Sequence, residues 1–189
     1  MEKEFFLRVP TVLGLQGAPE ILPTGVGGLS KTGNKQIDFV FNLYDIAVKV
    51  GKKFNLSPLI ILAQASIESG WGTSLLAKMN NNFFGVTAFG KPNQYWKGDF
   101  RVSKVSGLKF RSYKTVEDGF SDFARIITSY YKEAAKASSN VAEYAKKIAQ
   151  SPYISEKNGD NRAKYEEIIK RSAATIQEIS KKKEQTKLN

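Results

Sequence analysis

Glu68 is the residue of this chain that is best suited to acid–base chemistry. It directly follows a largely apolar segment, residues 59–67, and lies in the last turn of the helix that this segment predicts. Desolvation among apolar neighbours raises the pKa of a carboxyl group, and the negative end of the helix dipole acts in the same direction. Both effects favour a protonated carboxyl near neutral pH, as a general acid for glycosidic cleavage requires. The alternative interpretation is a glutamate that simply reaches water at the end of its helix.

The chain contains no histidine and no cysteine. Their absence excludes thiol nucleophiles, Ser-His and Cys-His arrangements, and the commonest zinc ligand. Any acid–base chemistry must therefore come from Asp, Glu, Tyr or Lys side chains. We predict neither a metal site nor a cofactor.

Positive charge exceeds negative charge in this chain of 189 residues, and the formal net charge is +11 at pH 7. Such an excess favours a polyanionic partner, such as nucleic acid, an anionic membrane or an anionic cell wall. The lysines are dispersed apart from the cluster at 181–183, and no basic and aromatic residues interleave to form a base-stacking platform, so nucleic-acid binding ranks last. No apolar run reaches the roughly 20 residues that a membrane span needs, so we predict no span.

The hydrophobic pattern predicts a mainly α-helical domain with one small β-hairpin lobe between about residues 100 and 113. Ser57 as N-cap and Pro58 at the first helical position predict the start of a central buried helix, which Gly70 ends. Other predicted helices begin near residue 36, near Ser74, at Thr115, at Ser139 or Asn140, and before Tyr165.

Residues 1–34 lack helical or strand periodicity and contain three prolines and six glycines. We predict an extended arm there, too apolar for a simple solvated linker, which packs on the domain or on a partner. Residues 35–180 form the predicted domain, and residues 181–189 form a predicted basic tail.

Four ordered blocks carry a resemblance to a known family. Residues 64–72 read QASIESGWG, residues 80–86 read NNNFFGV, residues 95–98 read YWKG, and residues 110–113 read FRSY. Together they resemble the glucosaminidase family of autolysins and flagellar muramidases, glycoside hydrolase family 73 of the lysozyme superfamily. The resemblance covers about residues 36–175 and implies a lysozyme-like α+β fold, with the hairpin lobe flanking an active-site groove.

The resemblance also implies roles for single residues. Glu68 takes the place of the catalytic acid, and Asn81, Asn82 and Phe84 fall in the family's substrate-groove segment. Asparagines in such a turn also cap backbone groups, so a structural role is equally compatible. Two tryptophans are further candidates for substrate binding, since each can either stack on a sugar face or fill the core. They are Trp71 and Trp96.

The second carboxylate is where this sequence departs from the family pattern. Many members carry a glutamate in a Thr-x-Glu-like segment of the hairpin lobe, whereas residues 102–105 read VSKV here. Asp99 is the nearest candidate for the role, although an aspartate beside a glycine is also a common turn former. Without a second carboxylate, the substrate's own N-acetyl group could serve as nucleophile. Tyr153 resembles a tyrosine of the family that borders the active site.

Taken together, these features predict a peptidoglycan hydrolase, either a β-N-acetylglucosaminidase or a muramidase. A lytic transglycosylase and a catalytically weak peptidoglycan-binding or structural component are the alternatives. The N-terminus does not resemble a secretion signal, because Glu2 and Glu4 stand where positive charge is usual. We therefore predict action on the bacterial cell wall after delivery by a virion, a holin route or an injection system, with residues 1–34 attaching the domain to a larger assembly. An ordinary linker, or a boundary left after signal removal, is the alternative interpretation of that segment.

Overall fold

The computed structural model describes residues 31–104 and 106–188, and the segment 1–30, most of the predicted arm, lies outside the described residues. The elements follow in chain order: α1 (Lys35–Phe54), α2 (Pro58–Ser69), α3 (Leu75–Asn80), β1 (Phe100–Val102), β2 (Lys109–Arg111), α4 (Val116–Tyr130), α5 (Lys132–Lys136), α6 (Val141–Gln150), a 3-10 turn (Glu156–Asn158) and α7 (Arg162–Leu188). The fold is mainly α with a small antiparallel hairpin, so the predicted fold class is confirmed.

Helix α2 is the central element, as its apolar sequence predicts. Residues 60–66 are all buried, and α2 packs against both α1 and α7. It begins at Pro58, whose missing N–H costs nothing at the first helical position. It ends where Gly70 adopts a left-handed conformation (φ 59°) and donates its N–H to the Ser66 carbonyl. This ending places Glu68 in the last turn.

The start of helix α1 includes part of the predicted arm. The Asn34 side chain accepts hydrogen bonds from the N–H groups of Gln36 and Ile37, at 3.0 and 3.2 Å. The Thr32 hydroxyl donates to Asp38 Oδ1 at 2.9 Å. Because the Asn34 contacts satisfy N–H groups that the first turn leaves unpaired, and Thr32 binds the Asp38 side chain of that turn, Thr32 and Asn34 contribute to the helix start.

Helix α7 continues through residue 188, so the described part of the predicted basic tail is helical. Lys183 is only 8% exposed, and its ammonium donates to the Phe41 carbonyl (2.9 Å) and to Asp45 Oδ2 (3.0 Å) on α1. Ile176 and Ile179 precede it on the same buried face at helical spacing. The position thus buries the aliphatic stem of the lysine while its charge reaches a carboxylate.

The hairpin lobe forms where the alternating pattern predicts it. Strands β1 and β2 pair antiparallel, with Arg101 opposite Phe110 and Val102 opposite Lys109. Phe110 is buried, whereas Phe100 and Val102 are each 49% exposed. The alternation in β1 therefore predicts the strand, but the apolar side chains of β1 do not face the core. A two-stranded sheet at the edge of a domain has solvent on one side.

Candidate active site at the end of helix α2

Glu68 is half-buried and directly precedes a sharp reversal of the chain. Gly70, Trp71 and Gly72 have φ values of 59°, 62° and 74°, three consecutive residues in the left-handed region. Trp71 is the unusual member, because a non-glycine residue rarely adopts this conformation. At Gly72 an added Cβ would come within 3.3 Å of the rings of Phe39 and Phe83. The turn therefore requires its glycines, and it holds Glu68 at a defined place at the helix end.

Tyr165 of helix α7 donates its hydroxyl hydrogen to Glu68 Oε1 at 2.9 Å. The Tyr165 oxygen in turn accepts from Gln64 Nε2 at 3.1 Å, and Gln64 Oε1 accepts from the Tyr144 hydroxyl of α6. Gln64 and Glu68 are one helical turn apart and share a face of α2. Sequence reasoning missed Gln64, Tyr165 and Tyr144 as site residues. The available signal was a glutamine inside an otherwise apolar helix, which must find buried partners.

Tyr153 lies beside this group. It is 5% exposed and its ring stacks on that of Tyr165, with centroids 6.1 Å apart and planes at 29°. The ring of Tyr131 also meets it edge-on, with centroids 5.4 Å apart. The structure thus brings Tyr153 to the tyrosine that contacts Glu68, and its predicted catalytic role stays a prediction.

The segment after α3 connects the helices to the hairpin lobe. Asn82 is 1% exposed; its amide donates to the carbonyls of Val86 and Arg111, and its oxygen accepts from the Val86 N–H. Phe84 stacks on Phe123 with centroids 3.8 Å apart. These contacts give Asn82 and Phe84 clear structural roles.

Asn81 ends helix α3 in a left-handed conformation (φ 52°) and donates to the Tyr113 carbonyl at 3.0 Å. It is half-buried, whereas Asn82 and Phe84 are buried. Substrate binding by these three residues stays a prediction.

The two candidate tryptophans have different environments. Trp96 is 3% exposed; its indole N–H donates to the Asp99 carbonyl at 2.6 Å, and the Arg111 guanidinium lies 4.2 Å from its ring centroid. Trp71 is half-buried, meets Phe39 edge-on, and lines a cavity of about 820 Å³ together with Tyr165. Trp71 is therefore the tryptophan that borders a cavity, and substrate binding by either tryptophan stays a prediction.

Asp99 lies exposed just before β1. Its backbone carbonyl accepts from Trp96 Nε1 and from the Ser112 N–H (2.8 Å), which fixes the loop that carries it. Asp99 thus stands at the start of the hairpin lobe, and its role as second carboxylate stays a prediction.

A buried carboxylate that sequence reasoning missed holds the hairpin lobe on the helical body. Asp122 of α4 is fully buried and accepts from Arg111 (2.7 Å), Tyr113 (2.8 Å), Arg125 (2.9 Å) and Asn93 (3.0 Å). Because Arg111 also lies over Trp96, this network positions the loop that bears Asp99. Burial and the neighbouring Asp122 carboxylate raise the pKa of Tyr113 well above its ordinary value, so its hydroxyl stays a donor.

Within residues 31–104 and 106–188, no three acidic side chains cluster closely enough to suit a metal ion. In the same residues, no helix combines the length and apolar character that crossing a bilayer demands.

Residues 44–178 match the glucosaminidase family model, described as mannosyl-glycoprotein endo-β-N-acetylglucosaminidase. The chain belongs to the glucosaminidase family. The four sequence blocks and the hydrogen-bonded Glu68 all lie inside the matched range, and the matched domain is a glycoside hydrolase domain.

Individual relatives agree with this assignment. The chain is 28% identical over 162 residues to exo-glucosaminidase LytG of Bacillus subtilis, covering 80% of this chain and 57% of LytG. It is 25% identical over 133 residues to peptidoglycan hydrolase FlgJ of Vibrio parahaemolyticus, covering 62% of this chain and 42% of that protein. The chain spans about half the length of these curated relatives.

The glycoside hydrolase domain of Salmonella typhimurium FlgJ has the same fold, with a TM-score of 0.62 and 23% identity. The similarity covers 80% of this chain and 94% of that domain.

Proposed function

We propose that this glucosaminidase-family domain hydrolyses the glycan strand of peptidoglycan, with Glu68 as the general acid. The observation that carries the proposal is the placement of Glu68, half-buried at the end of a buried helix and oriented by Tyr165. The relatives named peptidoglycan hydrolase and exo-glucosaminidase support the substrate class. The net charge of +11 also suits an anionic cell wall.

In the proposed reaction, protonated Glu68 donates its proton to the glycosidic oxygen as the bond between that oxygen and the anomeric carbon breaks. Positive charge then develops on the sugar that keeps the anomeric carbon. A carboxylate or the substrate's N-acetyl oxygen must stabilise it before water completes hydrolysis. Asp99 is the candidate carboxylate, since the Asp122 network fixes its loop on the hairpin lobe.

The matching glutamine variant tests the role of Glu68. Glu68→Gln keeps the size of the side chain but removes the transferable proton, so clearing of purified peptidoglycan should fall by about 10²–10⁴-fold. Glu117→Gln is the control, because it changes an exposed glutamate that pairs with Lys49 on the surface. Both variants should melt like the parent protein. Near-parental clearing by Glu68→Gln would refute the assignment.

We further propose cleavage on the reducing side of N-acetylglucosamine. The description of the family model and the name of LytG both support a glucosaminidase over a muramidase. Mass spectrometry of borohydride-reduced products tests this, because a glucosaminidase leaves reducible N-acetylglucosamine and a muramidase leaves reducible N-acetylmuramic acid. A product lighter by one water, with no reducible end, would indicate a lytic transglycosylase instead.

The domain would act on the cell wall, outside the cytoplasm. Attachment to a larger assembly through residues 1–34, and delivery by a virion, a holin route or an injection system, are part of this proposal. Most of that segment lies outside the described residues. Deletion of residues 1–30 tests the attachment.

A further inference from the structure

Three consecutive hydrogen bonds lead from helix α6 to the candidate catalytic carboxyl. Tyr144 donates to Gln64 Oε1, Gln64 Nε2 donates to Tyr165, and Tyr165 donates to Glu68 Oε1. We refer to Tyr144, Gln64 and Tyr165 as the hydrogen-bond chain. Its members are 0%, 0% and 3% exposed, so these side chains meet inside the protein.

The hydrogen-bond chain has a direction, because an amide has one donor end and one acceptor end. With the Gln64 NH₂ facing Tyr165, the Tyr165 oxygen acts as acceptor and its own hydrogen is left for Glu68. The opposite amide orientation would place the Gln64 oxygen against the Tyr165 hydroxyl, where it would compete with Glu68 for that hydrogen.

Tyr144 keeps the amide in the first orientation, since its hydroxyl donates to Gln64 Oε1. Burial raises the pKa of Tyr144 far above its ordinary value, so this donor stays protonated at any pH where a glycosidase works.

We infer that Gln64 and Tyr165 are positioning residues that hold Glu68 Oε1 as a hydrogen-bond acceptor and thereby place the acidic proton on Oε2. The inference rests on the proposed role of Glu68 as general acid. During the reaction the Oε2–H bond breaks, the proton passes to the glycosidic oxygen, and the electron pair stays on the carboxylate. The Tyr165 hydrogen bond then stabilises that negative charge, and so favours release of the proton.

Other titratable groups lie around Tyr165 and must be considered with it. Tyr153 stacks on Tyr165 from the segment between α6 and α7. Asp160, Lys164 and Arg171 line the cavity that Tyr165 also borders. A change confined to the Tyr165 hydroxyl leaves these four side chains in place and isolates its effect.

The test is a carboxyl ¹³C NMR titration of the full chain, with the Glu68 signal assigned by its absence in Glu68→Gln. Tyr165→Phe removes the donor and keeps the ring that stacks on Tyr153. The Glu68 titration midpoint should rise by about one pH unit, because a hydrogen bond to the charged form is lost. The alkaline limb of the pH–activity profile should shift to higher pH together with the Glu68 midpoint.

Tyr44→Phe is the matched control. It also deletes a tyrosine hydroxyl that donates to a glutamate, Glu184, between α1 and the same helix α7, at 3.4 Å and in an exposed setting. The Glu68 midpoint should not move in this variant.

Gln64→Met supplies a second, graded measurement. It keeps the side-chain volume and leaves Tyr165 able to donate, but removes the group that directs the Tyr165 hydrogen toward Glu68. Its midpoint should rise by less than that of Tyr165→Phe.

A folded Tyr165→Phe whose Glu68 midpoint matches that of Tyr44→Phe would overturn the inference. The proposed function fails in a different way, since a parent protein that does not clear peptidoglycan would refute it whatever the midpoints do.

Discussion

Replacing Asp122 by asparagine tests how the hairpin lobe is held on the helical body. Asparagine has nearly the same shape but no charge, and it supplies an NH₂ group in place of one carboxylate oxygen. Asp122 is fully buried and the Arg111 side chain that pairs with it is 2% exposed, at a separation of 2.7 Å. The substitution therefore leaves a buried guanidinium without the carboxylate that balances its charge.

The expected loss follows from this burial. Removing one partner of a buried ion pair costs about 3–5 kcal/mol, because the other charge stays desolvated. For a domain of this size each kcal/mol lowers the melting temperature by about 2–4 °C, so Asp122→Asn should melt about 6–20 °C below the parent protein. Glu117→Gln breaks an exposed pair, with side chains 69% and 44% exposed, and should cost about 1 kcal/mol or less.

Thermal melting by circular dichroism measures the global effect, and hydrogen exchange locates it. The N–H groups of Ala88 and Arg111, which bond to Lys109 and Val86, should exchange faster in Asp122→Asn. Peptidoglycan clearing should also fall, because the loop that carries Asp99 loses its support. A melting temperature within about 3 °C of the parent protein would refute the reasoning, since the cost would then be that of an exposed pair.

Asp99→Asn should reduce clearing less than Glu68→Gln if the substrate's N-acetyl group can replace the carboxylate; an equal loss would make Asp99 a full catalytic partner, and no loss would leave it a turn residue. Burial raises the pKa of Tyr131 to about 12, so its contribution to stability is complete below pH 10 and is lost as pH rises from 10 to 12. Melting temperatures measured across that range should fall less steeply in Tyr131→Phe than in the parent protein. An unchanged slope would contradict the raised pKa of Tyr131 as the cause of the loss. Deleting residues 1–30, which keeps the Asn34 cap, should leave a folded domain that clears isolated peptidoglycan but no longer attaches to its assembly. A melting temperature lowered by about 10 °C or more would show instead that the segment packs on its own domain.

Most helix boundaries could be predicted because the signals that begin and end helices are local. Pro58, Gly70 and Thr115 act on backbone groups within four residues of themselves, and each lies where the sequence places it. Helix α5 is the helix that was not predicted, and its five residues are too few to show a period. The length of α7 was also underestimated, since Lys183 looks like a solvated charge until Asp45 is placed beside it.

The candidate acid could also be found from the sequence, because Glu68 stands in one continuous block of distinctive residues. Its partners could not. Tyr165 lies 97 positions away and Tyr144 lies 80 positions from Gln64, so only the packing of α2 against α6 and α7 brings them together.

The two tryptophans show the same division. Their sequence contexts, each within a glycine-containing block, left stacking on a sugar and filling the core equally open. Tertiary contacts distinguish them, since Arg111 covers Trp96 and Trp71 borders a cavity. By itself the sequence determined most of the helical elements, the hairpin and the candidate acid, because each depends on neighbours along the chain. Only the tertiary structure decided which side chains orient that acid and which hold the hairpin lobe, because burial and hydrogen bonding are properties of residues distant in sequence.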